Sequence, residues 1–155
     1  MAEKREIYKF TDDSTYDGHW LDNKRHGQGV FTWKSGAIYD GEWKEDKKNG
    51  QGKMTFSDKT SYSGTWADDK RVGKGTYVWP DGSHYDGDFA ADNFHGQGKL
   101  TLKDGSSYEG KWDTGRKHGE NGTMVYQDGS TYIGGWKDDK REDANGQLVW
   151  KESDG

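Results

Sequence analysis

Residues 39–43 read YDGEW. Ring, polar residue, glycine, polar residue and ring alternate with a period of two, the mark of a strand with one packed face. The same frame stands at YDGHW (16–20), YSGTW (62–66), YDGDF (85–89), YEGKW (108–112) and YIGGW (132–136). Its tyrosines, Tyr16, Tyr39, Tyr62, Tyr85, Tyr108 and Tyr132, are spaced 23, 23, 23, 23 and 24 residues apart. A fixed period of this length means one small unit used repeatedly, each copy completing its core against its neighbours.

A second alternating run in each unit begins at a glycine, as in GVFTW (29–33) and GTYVW (75–79). Turn formers separate the runs, with LDNKRHG on one side and KSG, PDG or KDG on the other. Pro80 lies in such a turn, where its missing N–H costs little. Nothing has helical periodicity, so each unit is predicted to be a β-hairpin. The chain then becomes an all-β, elongated, single-layer antiparallel meander of about 13 strands, one face packed and one wet. An upstream stretch, IYKFTDDST (7–15), matches TYVWPDGSH (76–84). A single array follows: a half repeat over 6–15 and repeats at 16–38, 39–61, 62–84, 85–107, 108–131 and 132–155.

Composition first argues against any fold. Leu, Ile, Val and Phe together number 17 of 155 residues, and a third of the chain is charged, a balance usual for disorder. Eight Trp and nine Tyr oppose it, because such rings bury large areas. The alternation places every aromatic residue but Phe94 on one face. Thr32, Thr55, Val78, Thr101, Val125 and Val149 stand on the other, among charges. Disorder is therefore rejected. No cysteine is present, which excludes disulfides, thiolate metal sites and a cysteine nucleophile. Residues 1–10 lack the apolar core of a signal peptide, so the expected location is cytoplasmic, with association with the cytoskeleton or the inner membrane surface as an option.

Tyr-x-Gly-x-Trp followed by Lys-Arg-His-Gly-Gln-Gly and Asp-Gly-Ser resembles the membrane occupation and recognition nexus (MORN) repeat, over roughly residues 6 to 155. The resemblance implies a twisted ribbon of hairpins forming an open groove and a non-catalytic role in protein–protein scaffolding. It also implies frequent dimerisation and an often proposed affinity for phospholipid. Repeat five (KHGENGTM) is one residue longer and repeat six (REDANGQL) longer again, which suggests a bulge or an enlarged turn. The final SDG, where another unit would begin, suggests a longer array.

Several features mimic active sites. His26-Gly27-Gln28-Gly29 has phosphate-loop spacing, but no helix follows it and the feature recurs at 49–52, 72–75, 95–98 and 118–122; a phosphate loop normally opens one helix. The glycines serve turn geometry. His26, His95 and His118 share one repeat position, about 9.6 Å apart for adjacent units, too far to share a zinc ion. They are expected to support turns, and no metal, cofactor or catalytic residue is expected. Nucleic acid is not expected either, since no basic domain exists.

The leading expectation is an adaptor whose aromatic, glycine-lined groove accepts a partner helix, an extended peptide or a second copy joined through the array ends. Tyr39, Trp43, Tyr62, Trp66, Tyr85 and Phe89 are the candidate contacts, with tyrosine hydroxyls supplying orientation. Phe94 joins them because it stands where other repeats carry a base. The alternative is a peripheral module meeting anionic lipid headgroups through a basic ladder at the turns. Its rungs are Lys24-Arg25, Lys47-Lys48, Lys70-Arg71, Arg116-Lys117 and Lys140-Arg141. Acids preceding these pairs in the same turns, and a net charge of -5, weaken that field.

Overall fold

A computed structural model describes residues 3–150, apart from the side chains of 143–145. Thirteen strands follow one another: β1 (Lys4–Lys9), β2 (Thr15–Leu21), β3 (Lys24–Thr32), β4 (Ile38–Lys44), β5 (Lys47–Thr55), β6 (Ser61–Ala67), β7 (Lys70–Val78), β8 (His84–Ala90), β9 (Asn93–Thr101), β10 (Ser107–Asp113), β11 (Arg116–Val125), β12 (Thr131–Lys137) and β13 (Lys140–Val149). They form one open antiparallel sheet in chain order, and the described residues include no helix. Thirteen strands about 4.8 Å apart span roughly 60 Å. Residues 1–2 and 151–155, the ends of the expected array, lie outside the described residues.

Two turns alternate. One has positive φ at both central residues, as at Asp22 and Asn23 (50° and 62°), Glu45 and Asp46, Asp68 and Asp69, and Asp138 and Asp139. That is the type I′ geometry, whose twist suits a two-residue hairpin. The other is a five-residue loop in which Trp33 N–H donates to Ala37 C=O (2.9 Å) and Gly36 N–H to Trp33 C=O (3.0 Å). Aspartates stiffen its equivalents: Ser14, Thr60, Ser83, Ser106 and Ser130 N–H each donate to the Asp two residues earlier.

The turn assignment of LDNKRHG needs correction. Only Asp22-Asn23 turns; Lys24 onward is strand. Opposite β2 the pairing jumps from Gly18↔Gly29 to Trp20↔Arg25. Three residues of β3 thus face one of β2, and Gly27 at φ +64° makes the bulge. The jump brings Arg25 onto the ring-bearing face, and corresponding jumps recur in the later repeats.

The core is a single file of rings. Tyr16, Tyr39, Tyr62 and Tyr85 have no exposed surface, although nothing covers the sheet as a second layer. Each is held between two tryptophans or their equivalents, edge to face. Tyr39 meets Trp43 at 5.0 Å and Trp66 at 5.5 Å, with interplanar angles of 84° and 89°. Such pairs contribute about 0.5–1.5 kcal/mol beyond area burial. Beneath each tyrosine lie the facing glycines of two strands, such as Gly41↔Gly52. The hydroxyls donate to carbonyls three residues on, for example Tyr39 to Glu42 (2.8 Å) and Tyr62 to Thr65 (2.9 Å). Indole N–H groups donate to the earlier glycine carbonyls, Trp43 to Gly29 (3.0 Å) and Trp66 to Gly52 (3.1 Å).

Repeat five forms a bulge rather than an enlarged turn: the pairing of β11 with β12 shifts between Gly119 and Gly122. Trp136, whose equivalents Trp43, Trp66 and Trp112 reach a glycine carbonyl, is left with a buried Nε1–H that has no partner. The displaced backbone accounts for that orphan.

Burial pushes the Tyr16, Tyr62 and Tyr108 hydroxyls up to about 12, and Tyr39 and Tyr85 higher. A raised folded value stabilises the protein fully below the unfolded value near 10, and that contribution is lost as pH rises through 12. The melting temperature should therefore fall steeply between pH 10 and 12 in calorimetry. A flat profile there would mean that the hydroxyls are not buried in the native state.

Candidate functional site

The candidate site is the ring-bearing face. The six central candidates Tyr39, Trp43, Tyr62, Trp66, Tyr85 and Phe89 are at most 4% exposed. Their rings are spent on one another and the hydroxyls of Tyr39, Tyr62 and Tyr85 on their own chain, so they form the floor of the face and present little to a partner. The facing glycines of the central repeats, such as Gly41 and Gly52, are covered by tyrosine rings.

What the face does present is a row of half-buried rings at the five-residue loops, Phe10, Trp33, Phe56, Trp79 and Tyr126, interrupted at the 102–106 loop, where the exposed Leu102 stands. The alternation puts them on the correct face, but only the packing shows that they stay open while the Tyr-x-Gly-x-Trp rings close over.

The basic pairs divide between two environments. Lys24, Lys47, Lys70, Arg116 and Lys140 are exposed at the turns. Their neighbours lie over rings: Arg25 over Trp43 at 4.5 Å, Lys48 over Trp66 at 4.6 Å, Arg71 over Tyr77 at 5.3 Å, Lys117 over Trp136 at 5.1 Å and Arg141 over Tyr132 at 5.2 Å. Arg25 also forms a two-point clip on the following turn, donating through Nε to Asp46 Oδ1 (3.0 Å) and through Nη2 to the Asp46 carbonyl (2.9 Å). Arg71 repeats the clip on Asp92. Lys48 has no such clip, and burial holds its ammonium below the usual lysine range. The expected ladder thus keeps its first column at the surface, and of the second only Arg141 is exposed.

Phe94 takes the place of these cations. Its ring stacks on Tyr85 at 3.9 Å and 8°, with Phe89 and Trp112 at 5.5 Å. Where other repeats put an Asp in the next turn, this one has Gly115, so the cation and its carboxylate are replaced together. A cleft of about 240 Å³ opens beside Phe94, walled by Tyr77, Trp79, Arg71 and Asp92. A related cleft of about 310 Å³ stands by Phe10, Phe31, Arg25 and Asp46.

The histidines are scattered. His19 pairs with Glu3 at 2.9 Å, and His84 Nδ1 lies 3.3 Å from the Gly82 carbonyl. His95 Nδ1 is 3.4 Å from the Thr114 N–H, whereas His118 Nδ1 is buried without a partner. Among the described residues no three His, Asp or Glu side chains gather around one point.

The family model of the MORN repeat matches residues 16–38, 39–61, 62–84, 85–107, 108–131 and 132–142 in succession. No curated protein matches the chain. Among solved structures, the chain is similar to the SAS-4 (dCPAP) TCP domain of Drosophila melanogaster, solved in complex with a proline-rich motif of Ana2 (dSTIL). The TM-score is 0.51 at 11% identity, covering 93% of this chain and 82% of that one. At that identity the likeness is one of fold.

Proposed function

The chain belongs to the MORN repeat family, and from that premise we propose that it is a non-enzymatic binding module that holds an extended, proline-rich segment of a partner protein across its ring-bearing face. The observation that carries this reading is the half-open row of rings on four successive hairpins, Phe10, Trp33, Phe56 and Trp79, resumed at Tyr126 beyond the exposed Leu102. Hairpins repeat about every 9.6 Å. A polyproline II segment turns once in three residues, about 9.3 Å. One face of such a segment can therefore meet successive hairpins in step, as rigid proline ligands do on aromatic-lined surfaces. The clefts at Phe94 and at Phe10 offer places for its side chains, and a neighbour of the same fold is seen with a proline-rich motif.

Panning a proline-rich peptide display library, followed by titration of the selected peptides, tests this. Trp79→Ser and Trp33→Ser, which remove half-exposed rings, should keep the fold by circular dichroism and weaken the selected peptides at least tenfold, on the scale of about 1.4 kcal/mol or more for an interface anchor. Equal affinity for wild type and both variants rejects the reading.

A further inference from the structure

In every interior repeat the ring that ends the Tyr-x-Gly-x-Trp strand has a cover. Arg25 lies over Trp43 at 4.5 Å, Lys48 over Trp66 at 4.6 Å, Arg71 over Phe89 at 5.8 Å and Lys117 over Trp136 at 5.1 Å, while Phe94 meets Trp112 at 5.5 Å. Those five rings are 4–5% exposed. The sixth, Trp20, is only half-buried. Its indole sits as the others do, donating to the Glu6 carbonyl (3.3 Å) just as Trp43 donates to that of Gly29. The registers agree as well, since Lys4 faces Trp20 as Gly27 faces Trp43. Two residues before Gly27 stands Arg25; two before Lys4 stands Ala2, which carries no cation.

The surroundings at Trp20 retain what such a cation needs. A cleft of about 670 Å³ is walled by Trp20, half-exposed Tyr8 and Phe10, the counterparts of Trp43, Phe31 and Trp33. Glu6 occupies the position that is Gly29 in the next repeat. No tyrosine ring lies over that position, so a carboxylate fits on the ring-bearing face. Lys4 turns to Glu6 (3.0 Å), and both remain largely exposed. Asn23 stands where Asp46 clips Arg25.

We propose that this cleft is a receptor for an arginine side chain of the partner segment, its guanidinium taking over Trp20 the place that Arg25 takes over Trp43. The chain's own interior repeats show what the site accepts. Two of those covers are guanidiniums and two are ammoniums; the guanidinium is the better match because, while lying over the ring, it also spreads N–H groups to the acceptors of the next turn, as Arg25 does on Asp46. Glu6, which also holds Lys4 at 3.0 Å, and Asp22 put carboxylates on the cleft wall where Asn23 carries none. Where the turn loses its carboxylate, at Gly115, the covering residue is a phenylalanine instead; the acceptors around Trp20 favour the cation. This deepens the peptide-binding reading and rests on it.

The test follows the indole N–H resonances by NMR, with that of Trp20 identified through Trp20→Phe. The probes are N-acetyl-arginine amide and N-acetyl-norleucine amide, added to wild type and to Ala2→Arg. Arginine should shift Trp20 saturably, with an apparent affinity about tenfold above norleucine. In Ala2→Arg an arginine two residues before Lys4 competes within the chain for the same indole, and the response should weaken. A Trp20 signal that ignores arginine, answers norleucine equally, or answers arginine as strongly in Ala2→Arg overturns the proposal. Peptides selected on the whole face report separately through Trp33 and Trp79. If those respond while Trp20 stays silent, the function stands and the arginine receptor falls.

Discussion

Gly52→Ala is expected to be among the most damaging single-methyl changes in the molecule, lowering stability by about 3 kcal/mol or more in chemical denaturation followed by tryptophan fluorescence. The backbone at Gly52 needs no left-handed conformation, so the cost is one of space alone. A Cβ there would lie 2.6 Å from Cε2 of Tyr39 and closer still to its hydroxyl. Tyr39 has nowhere to go: it is fully buried, wedged between Trp43 and Trp66, and bonded to the Glu42 carbonyl. Overpacking usually costs about 1–3 kcal/mol, and here relaxation would also break that hydrogen bond and two ring contacts. Gly36→Ala is the matched control. Gly36 has φ +91° and open space around it, so alanine meets only the left-handed penalty of about 1–2 kcal/mol. If the two variants were equally stable, the tyrosine-on-glycine packing would have to be abandoned.

Trp66→Ala should cost a comparable amount, about 3–5 kcal/mol, the range for deleting a buried large aromatic. Its ring is 4% exposed and lies edge-on to Tyr39 and Tyr62 at 5.5 and 5.1 Å. Removing it strips one side from two tyrosines, bares Lys48 and leaves the Gly52 carbonyl without its indole donor (3.1 Å). Each unit leans mainly on its neighbours, so the damage should also have a range. Trp43→Ala and Trp66→Ala share Tyr39 and should combine non-additively, whereas Trp66→Ala and Trp136→Ala should add within about 0.5 kcal/mol. A loss below about 1 kcal/mol for Trp66→Ala would show that the file of rings does not hold the sheet together.

Both effects were anticipated only in part by the sequence. The 23-residue period and the strict alternation of YDGEW placed the strands, the order of the sheet and the face on which the rings stand. Local chemistry suffices for that: side chains of a strand point alternately to two faces, and a repeated hairpin can pair only with its neighbours. The same logic read LDNKRHG as one long turn, because bases, His and Gly are all compatible with a loop. Only the backbone shows two residues turning and Gly27 opening a bulge.

That bulge governs the rest of the site. It carries Arg25, Lys48, Arg71, Phe94 and Lys117 onto the ring-bearing face, so the ladder of bases loses most of one column and the tyrosines and tryptophans chosen as contacts become floor. The sequence by itself determined the secondary structure, its topology and the sidedness of the aromatic residues, since each follows from spacing along the chain. Which rings close into the core, which stay open at Trp33 and Trp79, and how much more of Trp20 is exposed than of its equivalents were decided by tertiary structure. Those outcomes depend on side chains from strands a full repeat apart meeting over the glycines, and spacing along one strand carries no information about such meetings.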